Sequence, residues 1–288
     1  MIGRPVTREL LAGPDAIRIA ARDVRKARAV LDGADEYVRA DVSDPESLRR
    51  ALDGADAVYT SLANPMRSTR PAWDPDYDGT LAIIEAAKAA GVSHVLRLSA
   101  MAVEEGADDW WAARAKLEAD QAVQESGLTW TIFRPTWFME SIAASTFGPH
   151  LFMMGGPKDR KLYFLAGSDF GRLVEKSLDA PEARNATIDV QGPEALALGE
   201  AFSRFWRHWR GYFLPTPVPT PLRMLAGAVL PPVDYLNQLM KLTFEHAAFK
   251  SGRTEANAIH DPTINIDEYA RDLRHARDYP QKLPIAGA

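Results

Sequence analysis

Met1-Ile-Gly-Arg-Pro-Val-Thr-Arg-Glu-Leu-Leu-Ala12 is the stretch that decides how the rest of the chain is read. Pro5 suits the first turn of a helix, where a backbone N–H has no partner to lose. Ile2, Val6 and Leu10 recur on one face, and Gly13-Pro14 supplies a stop. A helix of this kind ordinarily follows a buried strand. The spacing therefore predicts a chain that begins in the middle of a strand–helix unit.

Working outward, Ile17-Arg-Ile-Ala-Ala21 and Glu36-Tyr-Val-Arg-Ala40 have the length and alternation of short strands, with a helix through Lys26 and Val30 between them. Ser43-Asp-Pro-Glu46 reads as a capping box with proline in the first turn, and it opens a helix closed by Gly54. Strands are predicted over 57–61, 93–99 and 128–133, the last stopped by Arg134-Pro135. Alanine-rich helices over 79–90 and 110–125 lie between them, each ended by a glycine. Short alternating strands and helices mean right-handed crossovers and a parallel sheet. The fold class is α/β, a doubly wound parallel sheet with a small, mostly helical C-terminal lobe. Residues 1–137 form the sheet domain and 138–288 the lobe, with 165–193 (a helix over 169–178 and a strand over 186–190) returning to the sheet. Leu196 to Trp209 is an amphipathic helix with Trp206 and Trp209 on one buried face, and a last helix spans 267–274.

A hydrophobic content of 46% over 288 residues suffices for a large core, and a net charge of −5 argues against direct nucleic-acid binding. The absence of cysteine excludes disulfides, thiolate metal sites and cysteine nucleophiles. Six scattered histidines lack the spacing of a metal site, and His94 reads as a hydrogen-bonded structural residue. Glu104, Glu105, Asp108 and Asp109 read as a solvated loop. The segment 221–240 contains Arg223, Asp234 and Pro231-Pro232, which favours an amphipathic lobe helix over a membrane span. The default compartment is cytoplasmic.

Ligands of an open parallel sheet bind beyond the carboxyl ends of its strands. That rule selects Arg22 and Asp23, Asp41, Leu62 and Ala63, Ser99, and residues 134–137. Several stretches then resemble the atypical short-chain dehydrogenase/reductase superfamily: Ile2-Gly-Arg-Pro-Val6, Ala21-Arg-Asp-Val-Arg-Lys-Ala27, Ala40-Asp-Val42, Ala87-Lys-Ala-Ala-Gly-Val92 and the strand end at Ser99. Lys116-Leu-Glu118 and Ser126-Gly-Leu-Thr-Trp-Thr-Ile-Phe-Arg-Pro135 narrow the resemblance to its NmrA-like, NAD(P)-binding branch.

The resemblance implies a cofactor, NADP with NAD as the alternative. Gly3 aligns with the third glycine of the family's phosphate loop, where close helix–strand packing is wanted. Arg22 stands where a guanidinium grips the 2′-phosphate, while Asp23 keeps the NAD alternative open. Asp41 and Val42 match the pair that contacts adenine, Leu62 and Ala63 the following strand end, Lys116 the ribose-binding lysine, and Ser99 a serine near the nicotinamide. The family begins with a strand and glycine-rich loop, roughly ten residues that this chain lacks. That strand would lie between those at Ile17 and Ala57, and the expectation is a start codon assigned too late. Where the superfamily's Tyr-x-x-x-Lys places tyrosine, the chain has Ala112, a departure shared with the NmrA-like branch. The expected activity is reduction of a small electrophile such as a quinone, with Lys116 and Ser99 at the active site. A non-enzymatic NAD(P) sensor or scaffold, and a chain unable to bind cofactor, are the alternatives. A homodimer or protein partner stays open, and 137–154 would line a substrate pocket or an interface.

Overall fold

The computed structural model describes residues 2–144, 146–147, 151–152, 160–210, 216–245 and 255–275. Helix α1 (Gly3–Ala12) turns Ile2 and Val6 into the core, and Gly13 follows as its cap. Strand β1 (Arg18–Ala21) leads into α2 (Val24–Val30), whose N-cap is Asp23. The Asp23 carboxylate accepts the Lys26 amide at 3.0 Å, satisfying a donor that the first turn leaves open. After β2 (Glu36–Arg39), α3 (Pro45–Leu52) starts one residue later than the capping box predicts. Asp44 is the cap, accepting from the Glu46 and Ser47 amides, because Ser43 gives its hydroxyl to Asp41 and Pro45 takes the first helical position.

Strand β3 (Ala57–Thr60), α4 (Asp78–Ala90), the wholly buried β4 (His94–Leu98), α5 (Val103–Gly106), α6 (Trp111–Gln124) and β5 (Thr129–Pro135) follow. β5 outlasts its predicted stop because β4 pairs only as far as Phe133, so the ladder asks no N–H of Pro135 on that side. The chain then runs through β6 (Trp137–Phe138), α7 (Glu140–Ala144), β7 (Thr146–Phe147), β8 (Leu151–Phe152), β9 (Lys161–Leu165), α8 (Gly167–Ser177), β10 (Ala186–Val190), β11 (Ala195–Ala197) and α9 (Leu198–Arg210). It ends in β12 (Thr216–Pro217), α10 (Thr220–Gly227), α11 (Pro231–Glu245) and α12 (Ile266–His275). The single helix predicted over 221–240 is thus two, since Pro231 and Pro232 cannot extend α10 and instead open α11. Among the described residues no helix is long and apolar enough to cross a membrane.

The fold is α/β with parallel strands in the order β10-β5-β4-β3, while β1 and β2 pair parallel with each other. No ladder among the described residues joins β1 to β3. Most of their side chains are only half-buried. Alternation along β4 and β5 sends Val95 and Ile132 toward α3, α4 and α6. Leu96, Leu98 and Phe133 point the other way, toward α1, α8 and β10. In a third core Trp137, Phe164, Phe202, Phe205 and Trp206 pack with α11 and α12. The side chain of Trp209, and residues 148–150 and 153–154 of the aromatic segment, lie outside the described residues.

The close approach of α1 to α8 is made possible by Gly171. A Cβ at Gly3 would meet nothing within 4 Å among the described residues. At Gly171 it would lie 2.8 Å from Glu9 Cγ and 3.0 Å from the Val6 Cα, so the α1–α8 contact depends on that missing atom.

Candidate cofactor and active site

The carboxyl ends of β1 and β2 bring Arg22 and Asp41 together. Arg22 is exposed, and its charge reaches the Asp41 carboxylate. Asp41 accepts the Ser43 amide at 3.0 Å and the Ser43 hydroxyl at 2.7 Å. Those bonds, with Arg22 and Arg39 behind them, hold its carboxyl below the usual range. Val42 and Leu62 meet at the start of α4, because Gly79 leaves room for both. A Cβ there would stand 3.2 Å from Leu62 Cδ1 and 3.3 Å from Val42 Cβ. Ala63 is exposed beside them, and Gly3 sits at the opening of α1, whose N-cap lacks a side-chain bond.

Ser99 and Lys116 are the two ends of one buried chain of charges. It is centred on Arg97, which β4 carries into the protein with no solvent exposure. Arg97 Nε donates to Asp120 Oδ1 at 2.9 Å, Nη1 to Thr80 Oγ1 at 2.7 Å, and Nη2 to Asp76 Oδ1 at 2.6 Å. Every nitrogen of the guanidinium therefore has an acceptor, which is what makes so deep a charge tolerable. The second oxygen of Asp120 accepts the Ser99 hydroxyl at 2.7 Å, and the second oxygen of Asp76 accepts Lys116 Nζ at 2.5 Å. Lys116 and Asp120 stand four apart on α6 and so share a face. Burial alone would raise the Asp76 carboxyl, but Lys116 and Arg97 hold it below the ordinary range. Burial likewise opposes the charge on Arg97, which Asp76 and Asp120 more than restore.

Helix α11 reaches this network through Tyr235. Its ring meets Trp110 edge-on at 4.8 Å and Trp111 at 6.3 Å. Burial, with the nearby charges of Asp76 and Asp74, pushes its phenol well up, so it stays protonated. Ala112, a turn before Lys116, is buried. His94 is structural: Nε2 lies 2.9 Å from Thr131 Oγ1, and burial lowers its pKa. The acidic run is solvated as expected, though Glu104 and Glu105 sit on the short helix α5. Glu104, Asp108 and Asp109 pair with Arg134, Arg114 and Lys241. Among the described residues no cluster of ligands could hold a metal.

Sequence reasoning missed Asp76, Arg97 and Asp120. The available signal was Arg97 itself, a cation set among the apolar Val95, Leu96 and Leu98 of β4, since a buried guanidinium demands carboxylates.

A family model described as NAD(P)H-binding matches residues 1–151, more than half of the chain. A (4-alkanoyl-5-oxo-2,5-dihydrofuran-3-yl)methyl phosphate reductase from Streptomyces griseus is 32% identical, over 72% of this chain and 70% of its own length. A photosystem II assembly factor from Trieres chinensis is 25% identical over 69% of this chain, a match spanning only 63% of that protein. Among solved structures, an NADPH-dependent quinone oxidoreductase from Escherichia coli, complexed with NADPH, superimposes with a TM-score of 0.72. That match covers 95% of this chain and 96% of the other at 20% identity, a likeness of fold. On the family match and the Streptomyces relative, the chain belongs to the NAD(P)H-binding family.

Proposed function

We propose that the protein is an NADPH-dependent reductase of a small electrophile such as a quinone, in the NmrA-like branch of the atypical short-chain dehydrogenases. The observation that carries this reading is the Lys116 ammonium, fixed at 2.5 Å on a buried carboxylate and still 21% exposed at its side chain. A lysine so held is oriented to donate to ribose hydroxyls while its charge stays in place.

The residues present fit such a cofactor. Arg22 is exposed and forms no hydrogen bond or ion pair with another described residue, as a guanidinium awaiting the 2′-phosphate would be. Asp23, which an NAD enzyme would use for ribose hydroxyls, is engaged as the cap of α2. Asp41 and Val42 would flank the adenine, Leu62 and Ala63 the next strand end, and Gly3 the phosphate side. Bound there, the cofactor supplies a hydride. A quinone that accepts it becomes a hydroquinone anion, which solvent protonates, so Ala112 in the tyrosine position does not block the reaction. Lys116 binds and orients, and Ser99 keeps that end of the network in register through Asp120. The names of the Streptomyces relative and the structural neighbour point the same way, one to a phosphate-bearing enone-type substrate and the other to quinones.

Ala112 also favours a second reading, cofactor binding without turnover, in which occupancy biases a partner surface. Steady-state NADPH oxidation with a panel of quinones separates the two. Turnover that falls at least about tenfold in Lys116→Ala supports the reductase. NADPH binding by calorimetry with no turnover on any quinone supports the sensor.

A further inference from the structure

Helix α10 is built inside out. Arg223 is only 6% exposed, whereas Leu222, Met224 and Leu225 on the same helix are largely exposed, Leu225 at 70%. The following Val229 and Leu230 are exposed as well. An isolated amphipathic helix in water would adopt the opposite arrangement.

The buried arginine is also unanswered. Its Nε and Nη1 are sealed from solvent and have no hydrogen-bond partner among the described residues. Burial pushes its pKa down, and no charge among the described residues opposes the effect. The contrast with Arg97, which is fully buried and matched at every nitrogen, shows that this chain can satisfy a buried guanidinium. On the facing surface of α11, Asn237 donates through Nδ2 to the Arg223 carbonyl at 3.4 Å, while its Oδ1 is sealed without a donor. Two unpaired donors on α10 and an unpaired acceptor on α11 thus lie in two helices that pack together. Such groups are costly to leave buried and are kept where a ligand completes them.

We propose that the α10–α11 interface binds an anion carried on an apolar body, a carboxylate, phosphate or sulfonate with a hydrocarbon portion. The anion pairs with the Arg223 guanidinium, which suits a planar two-oxygen acceptor, and the hydrocarbon covers Leu222, which is exposed beside it on α10. The site is separate from Lys116: Tyr235, which faces that network, stands two positions from Asn237 and so on nearly the opposite side of α11. It does not depend on the protein being a reductase.

The test is calorimetric titration of the full chain with octyl phosphate below its micelle concentration, beside octanol and inorganic phosphate. The expected result is binding of octyl phosphate, weakened at least about tenfold in Arg223→Met and less in Arg223→Lys, with octanol not bound. Inorganic phosphate should bind the same site more weakly. Without ligand, Arg223→Met should unfold at the same or a higher temperature, because an unpaired buried charge has been removed. Equal binding of octanol, unchanged affinity in Arg223→Met, or a lower unfolding temperature for that variant would overturn the proposal. Arg223-dependent sedimentation with phosphatidylglycerol vesicles, without binding of monomeric octyl phosphate, would overturn it in favour of a membrane surface.

Discussion

Lys116 Nζ and Asp76 Oδ2 lie 2.5 Å apart, joining α6 to the loop ahead of α4 across 40 positions of sequence. The same carboxylate holds the buried Arg97 at 2.6 Å, so Asp76 serves a partly exposed cation and a fully enclosed one at once. The two partners should respond differently to mutation. Asp76→Asn leaves Arg97 with a single carboxylate in the interior and should cost about 3–5 kcal/mol. Lys116→Met removes a charge that still reaches water and should cost less than about 1.5 kcal/mol. Urea unfolding of both variants checks this, and equal losses would mean that Arg97 does not depend on Asp76.

Cofactor choice rests on Arg22 in the reductase reading. Arg22→Gln should weaken NADPH binding by about 10- to 100-fold, the scale of a lost bidentate phosphate contact, and leave NADH almost unaffected. Calorimetric titration of both nucleotides into wild type and variant reads the ratio directly. A parallel loss for the two nucleotides would place Arg22 away from the 2′-phosphate.

The seat of α1 makes a paired prediction. Gly171→Ala drives a methyl group against the Val6 Cα and the Glu9 side chain and should destabilise by about 1–3 kcal/mol, while Gly3→Ala meets nothing described and should leave packing unchanged. Thermal unfolding of the two variants distinguishes them. If Gly3→Ala proved the more damaging, the close approach would lie at the start of α1 rather than against α8.

What was legible in the sequence is what local pattern controls. The opening helix, the strand at β4 and the β10 return carry their own periodicity, and the strand-end rule selected Arg22, Asp41, Ser99 and Leu62 before any side chain was placed. The interior of the site was not legible in this way. Arg97 finds Asp76 and Asp120 at separations of 21 and 23 residues, and no local spacing encodes a meeting that only the sheet and α6 bring about. Gly171 looks like an ordinary helical glycine until α1 is laid against it. By contrast, Pro231-Pro232 announced the break between α10 and α11 in plain view, and the apolar run around it masked the signal.

Glu140 gives the protein a pH dependence of its own. It accepts the Gly167 amide at 3.0 Å at the start of α8, next to Pro5 of α1. Burial outweighs the help of that amide and of the Tyr269 hydroxyl, pushing the carboxyl up from its ordinary 4.5 to about 7. The folded value lies above the unfolded one, so this group's contribution to stability is complete below about pH 4.5. It is lost as pH rises through 7, and by pH 8 the loss approaches about 3 kcal/mol. Glu140→Gln keeps an oxygen for the Gly167 amide and removes the ionisation. Its unfolding temperature should match wild type near pH 5 and exceed it at pH 8, followed by circular dichroism at intervals between. A variant that loses stability with pH as steeply as wild type would assign the transition to another group.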